Sequence, residues 1–168
     1  IESEALHFIG SGRLAGIPIS VLIMLLVFLA CHVVARKMRA GRIIYAIGSN
    51  PKAARLNGLS GDIYLFIVFV ASGVSAALAG VMLASQAGTA VPSAGIGYEL
   101  LAITAVLLGG TSLQGGSGGV SGTFLGVLIV GVLNNGLTLI GVDSHFQQIA
   151  QGLLLLLAVG ADRWRAQG

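Results

Sequence analysis

Charge is scarce in this sequence. Asp, Glu, Lys and Arg make up 9% of its 168 residues, where a soluble domain carries about 25%. A chain with so little charge cannot cover itself against water, which excludes an ordinary soluble globule. Cysteine occurs once, at Cys31 inside an apolar run. That excludes an intrachain disulfide and leaves the thiol expected as a small buried hydrophobe. Ile1 to Gly16 contains no basic stretch leading into an apolar core, so it is not a signal peptide. With no initial Met, the segment is expected to belong to a longer chain.

Catalytic motifs are missing too. The stretch GGTSLQGGSGG, Gly109 to Gly119, has the look of a phosphate loop, but no Lys follows it and the GxGxxG spacing is absent, so nucleotide binding by this chain is not supported. Its glycines are expected to form a tight turn. There is no HExxH and no GxSxG. His7, His32 and His145 are far apart, and the carboxylates Glu2, Glu4, Asp62, Glu99, Asp143 and Asp162 are scattered, none in the middle of an apolar run. No catalytic residue, metal site or cofactor emerges. The sequence pI of about 9.5 would suit a nucleic-acid binder, but the placement of the basic residues points elsewhere.

What is abundant is apolar surface: 55% of residues, with a mean hydropathy of +0.95 and 26 glycines set within apolar runs. About 20 apolar residues cross a bilayer as a helix. Four runs approach this: Ile17 to Ala35, Ile63 to Ala84, about Val120 to Ile140, and about Phe146 to Ala161. Pro18 is expected in the first turn of the first run, where its missing N–H costs little. Arg36, Lys37, Arg39, Arg42, Lys52 and Arg55 all fall between the first and second runs, and Arg163 and Arg165 follow the last. Basic loops mark the cytoplasmic side. The first run therefore enters and the second leaves, while the last ends in a cytoplasmic tail. Parity then requires one more crossing between Gln86 and Ser117. Only Gly97 to Leu113 can supply it, around the short run LLAITAVLL. The expectation is an all-α polytopic membrane bundle over residues 1–168, with about four full spans plus one short or broken crossing buried among its neighbours.

Small residues recur at helical spacing, at Gly73, Ala76, Ala77 and Gly80, and at Gly122 and Gly126. Gly73, Gly80, Gly122 and Gly126 are expected to pack helices closely. Polar groups inside spans are candidates for a route: Asn134 and Asn135 first, then Thr104, with Ser72, Ser75 and Gln151 weaker. Interhelical hydrogen bonding is the competing explanation. On the basic side, Ser49 and Asn50 precede Pro51 as a cap-like pair. Pro51, Lys52, Ala53, Ala54, Arg55 and Leu56 read as a short amphipathic helix that Gly58 stops.

The run GRIIYAIGSNPKAARLNGL, Gly41 to Leu59, resembles the cytoplasmic loop of ribose-type ABC sugar permeases. SGVSAALAGVMLAS, PSAGIGYEL, AITAVLLGGTSLQGGSGGVSGTFLG and LNNGLTLIGV resemble the same family in the same order, so the likeness covers about Gly41 to Asp162. The resemblance implies the C-terminal half of a bacterial inner-membrane permease subunit. It implies partners as well: a second permease subunit, an ABC ATPase that uses the ATP, and a periplasmic or lipid-anchored sugar-binding protein. Residues 41–61 become the cytoplasmic loop that carries the ATPase-coupling helix, with Ala53 and Ala54 facing the ATPase and Lys52 and Arg55 at the rim. Branched-chain amino-acid permeases share this architecture and remain an alternative substrate class. A passive facilitator, which needs no ATPase, is another.

Overall fold

The structure, a computed structural model, describes residues 12–14, 16–93 and 95–167. Glu2, Glu4 and His7 lie outside the described residues, as does most of the segment tested for a signal peptide. The described chain opens with a small antiparallel pair, β1 (Arg13–Leu14) and β2 (Ile17–Pro18), with Arg13 opposite Pro18. Seven helices follow: α1 (Ile19–Lys37), α2 (Arg39–Ser49), α3 (Pro51–Leu56), α4 (Gly61–Ala87), α5 (Tyr98–Leu108), α6 (Val120–Leu139) and α7 (Ser144–Gln167). Pro18 is not inside the first turn, as expected, but at the N-cap with extended backbone (ψ 137°). The strand pairing carries the chain in that geometry up to the helix.

Among the described residues, three helices, α1, α4 and α6, are long and apolar enough to cross a membrane. The fourth expected span corresponds to α7, which has the length, at 24 residues. His145, Gln147, Gln148 and Gln151 in its first half dilute the apolar run, so α7 is not among those three. The short crossing is the 11-residue α5. At 1.5 Å per residue it covers about 16 Å, roughly half a hydrocarbon core. The backbone before it is held by turns, with Tyr98 N–H donating to the Gly95 carbonyl at 3.0 Å.

The core sits around this short helix. Thr104, Ala105 and Leu107 of α5 are buried, together with Gly126 and Val130 of α6 and Ala158 of α7. A Cβ on Gly122 would land on the Gly109 carbonyl, and one on Gly126 on the Ala105 carbonyl. The α5 and α6 backbones therefore touch in antiparallel register, the close approach by which helices gain van der Waals contact in lipid. Neither α1 nor α4 buries a residue. A Cβ added to Gly73 or Gly80 would meet nothing within 4 Å. Against expectation, these two make no such close approach among the described residues; Gly122 and Gly126 do.

At the end that carries the basic residues, Met38 adopts an extended backbone (ψ 152°) and breaks α1 from α2. The chain then doubles back so tightly that a Cβ on the buried Gly41 would meet the Val34 and Ala35 carbonyls. The sequence pattern reads as a loop up to Asn50; the structure makes it the amphipathic α2. Its apolar residues Ile43, Ile44, Tyr45 and Ile47 are half-buried, while Arg39 and Arg42 are exposed.

Candidate functional site

Two local signals define α3. The Asn50 side chain accepts a hydrogen bond from Ala53 N–H at 3.0 Å, and Pro51 occupies the first turn, where a missing donor is harmless. At the other end Gly58 N–H donates to the Arg55 carbonyl and Leu59 N–H to the Ala54 carbonyl, both at 3.0 Å. This closure needs the left-handed backbone of Gly58 (φ +76°). The side chains face differently from the expectation. Ala54 is 6% exposed. It lines a small cleft with Ile47 of α2, Pro51 and Arg55 of α3 and Leu65 of α4, so it packs toward neighbouring helices of its own chain. Leu56 is 90% exposed, more than any other large apolar side chain among the described residues. It stands between Arg55 and Asn57, polar neighbours that place it outside an apolar span. The outward face of α3 is Pro51, Lys52, Arg55 and Leu56, with Ala53 half-buried.

The glycine stretch 109–119 folds into a compact loop that α2 and α7 hold between them. Ser112 N–H donates to the Ser117 carbonyl at 3.1 Å, and Gly115 N–H to the Ser112 carbonyl at 3.2 Å. Gln114 N–H donates to the Ser112 hydroxyl at 3.2 Å. The Asp162 carboxylate of α7 accepts from Leu113 N–H at 3.1 Å and from the Ser112 hydroxyl at 3.4 Å. Backbone N–H groups of such loops attract anions; here one N–H and one hydroxyl hold the chain's own carboxylate. On its other side the loop meets α2. Tyr45 OH donates to the Gly118 carbonyl at 3.3 Å, and a Cβ on Gly48 would sit 2.7 Å from Gly116 N. The sequence showed Asp162 only as an isolated carboxylate at a helix end, with nothing local to pair it with residues 49 and 50 positions away.

The polar candidates for a route separate. Thr104 is 1% exposed and its hydroxyl donates to the Leu100 carbonyl at 2.7 Å. It is buried within α5 and already bonded, so it lines no route here, and that assignment is corrected. Asn134 is half-buried, and its side-chain oxygen accepts from the Gln151 amide of α7 at 2.8 Å. Thr138 OH donates to the Asn134 carbonyl at 2.9 Å, and the Gln147 amide to the Val142 carbonyl at 2.8 Å. Of these three, the Asn134–Gln151 bond joins α6 to α7, the kind of contact the competing explanation names. Asn135 is exposed. Asp143 caps the start of α7 by accepting from His145 N–H at 2.9 Å.

A cleft of about 470 Å³ opens between α1, α2, α5 and α6. Phe28, Cys31, Tyr45, Val106, Thr123 and Phe124 are among its walls. The Phe28 and Phe124 rings meet at 4.5 Å between centroids. Beside them, His32 Nδ1 is buried with no hydrogen-bond partner among the described residues. Cys31, expected to be buried, is instead exposed, on a helix that buries no residue. These walls are chiefly apolar and supply few of the hydrogen bonds that a sugar would need. Among the described residues no three of His, Cys, Asp and Glu converge as a metal site would require.

Comparison with known proteins follows the same lines. The model of a family described as branched-chain amino acid transport system / permease component matches residues 2–159. The ribose import permease protein of Escherichia coli (strain K12) is 48% identical over 161 residues, covering 96% of this chain and 50% of that protein. The ribose import permease protein of Bacillus subtilis (strain 168) is 46% identical over 154 residues, 92% of this chain and 48% of that protein. A probable ABC transporter permease protein of Escherichia coli (strain K12) is 40% identical over 161 residues, 96% of this chain and 48% of that protein. The chain spans about half the length of these curated relatives. No solved structure matches it.

Proposed function

Since this chain belongs to the family of branched-chain amino acid transport system permease components, we propose that it forms about half of the membrane-spanning subunit of an ATP-driven importer for ribose or a similar monosaccharide. The observation that carries this is the 48% identity to a ribose import permease across 96% of the chain. In this reading the basic end is cytoplasmic, as is the end of α7. ATP is hydrolysed on a separate ABC ATPase. The exposed Leu56 of α3 inserts into that ATPase, with Lys52 and Arg55 at the rim, and closure of the ATPase pair moves α3 and rocks the bundle. A second permease subunit completes the translocation route. A periplasmic or lipid-anchored binding protein docks at the opposite end, around residues 86–99 and 143–145. Asn135, exposed on α6, remains the candidate for hydrogen bonding to the passing sugar.

The test is reconstitution of the full-length subunit with its ATPase and binding protein in vesicles. Ribose accumulation should require ATP and survive excess leucine. Accumulation of leucine instead would support the second reading, a branched-chain amino acid, which the family's description favours. Equilibration of ribose without ATP would mean a facilitator and end the importer reading.

A further inference from the structure

The coupling helix does not reach the bundle core through side chains alone. Directly before it, Gly48 and Ser49 at the end of α2 lie backbone to backbone against Gly115 and Gly116: a Cβ on Gly115 would sit 2.9 Å from the Gly48 carbonyl oxygen, and one on Gly116 2.7 Å from Ser49 N. Consecutive left-handed residues, Gly115 at φ +85° and Gly116 at φ +74°, make that approach possible. The far side of the same loop is held by the Asp162 carboxylate, and its two ends continue into α5 and α6. A displacement of α3 therefore meets a contact with no flexible side chain to absorb it, and packed elements of this kind shift between discrete arrangements rather than deforming smoothly.

We propose that the glycine loop 109–119, seated on the backbone of Gly48 and Ser49 and anchored by Asp162, is the relay that carries movement of α3 into the α5–α7 core, with Asp162 as its positioning residue. This rests on the ATP-driven permease reading. Without the carboxylate, Leu113 N–H loses its partner, the loop is free to slide on α2, and movement of α3 is spent locally. ATP hydrolysis then continues while translocation fails.

The experiment measures ribose taken up per ATP hydrolysed, in vesicles holding the full-length subunit with its ATPase and binding protein. Asp162→Ala should lower that ratio about five- to tenfold, within the range for residues along a coupling path, with assembly and ATPase rate retained. Asp162→Asn, whose amide oxygen still accepts from Leu113, should restore the ratio to within about twofold. Tyr45→Phe, which removes only the contact to Gly118, should lower it about twofold. An unchanged ratio in Asp162→Ala overturns the proposal, and so does a parallel fall of transport and hydrolysis, which marks a purely structural role. If Asp162→Ala does not assemble, Tyr45→Phe decides, and an unchanged ratio there overturns the relay. Absence of ATP-driven uptake by the wild-type complex is a different failure: it removes the permease reading on which the relay rests.

Discussion

The α4 helix and the α5–α6 seam are written in the same language of small residues, yet they do opposite things. Gly109, Gly122 and Gly126 bring two backbones into contact, and a methyl group at Gly122 or Gly126 would strike a carbonyl. Gly73 and Gly80 on α4 face open space, and residues 71–80 are all exposed. A small-xxx-small pattern thus marks where a backbone can approach, not whether one does. The contrast extends to α3, where the buried small residue Ala54 faces inward and the large apolar Leu56 faces out.

Gly126→Leu is expected to have the largest effect. It forces a branched side chain into the α5 backbone, where overpacking costs about 1–3 kcal/mol or more. Thermal melting of the full-length subunit in detergent should show a clearly lowered melting temperature; a near-native melting temperature would dissolve the seam as described. Leu56→Asp comes next and acts on association alone. Loss of one central apolar anchor weakens binding by about 2 kcal/mol, roughly thirtyfold, so ATPase co-purification should fall sharply while the melting temperature holds. A drop in melting temperature with the ATPase still bound would place Leu56 inside the permease.

Asn134→Leu removes one hydrogen bond between α6 and α7, worth about 0.6 kcal/mol in a membrane protein. Gln151→Leu should give a similar loss, and the double variant should lose no more than either alone. Additive losses would show that the two side chains do not act on each other. Smallest of all should be Gly73→Leu, within about 0.5 kcal/mol. A loss comparable to Gly126→Leu would show that another part of the full-length protein packs on α4, erasing the contrast between the two regions.

Local chemistry made much of this protein legible in its sequence. The length of an apolar run determines whether a helix can span, and that marked the runs of α1, α4, α6 and α7, of which α7 proves too diluted by polar residues in its first half to stand with the other three. Gly97 and Gly109 bound the short α5. Asn50 and Pro51 start α3 and Gly58 stops it, all through local contacts close in sequence. Clustered Lys and Arg defined one end of the bundle. Orientation was a different matter. A soluble helix shows its buried face by polar and apolar alternation, but a span that is apolar all round carries no such mark. Only tertiary packing therefore decided that Gly122 touches Gly109 while a Cβ on Gly80 would meet nothing within 4 Å among the described residues, that Thr104 turns inward, that Ala54 packs against its own chain, and that Asp162 closes a loop some 50 positions away. Those contacts depend on where whole helices lie against one another, and no spacing within a single helix encodes that.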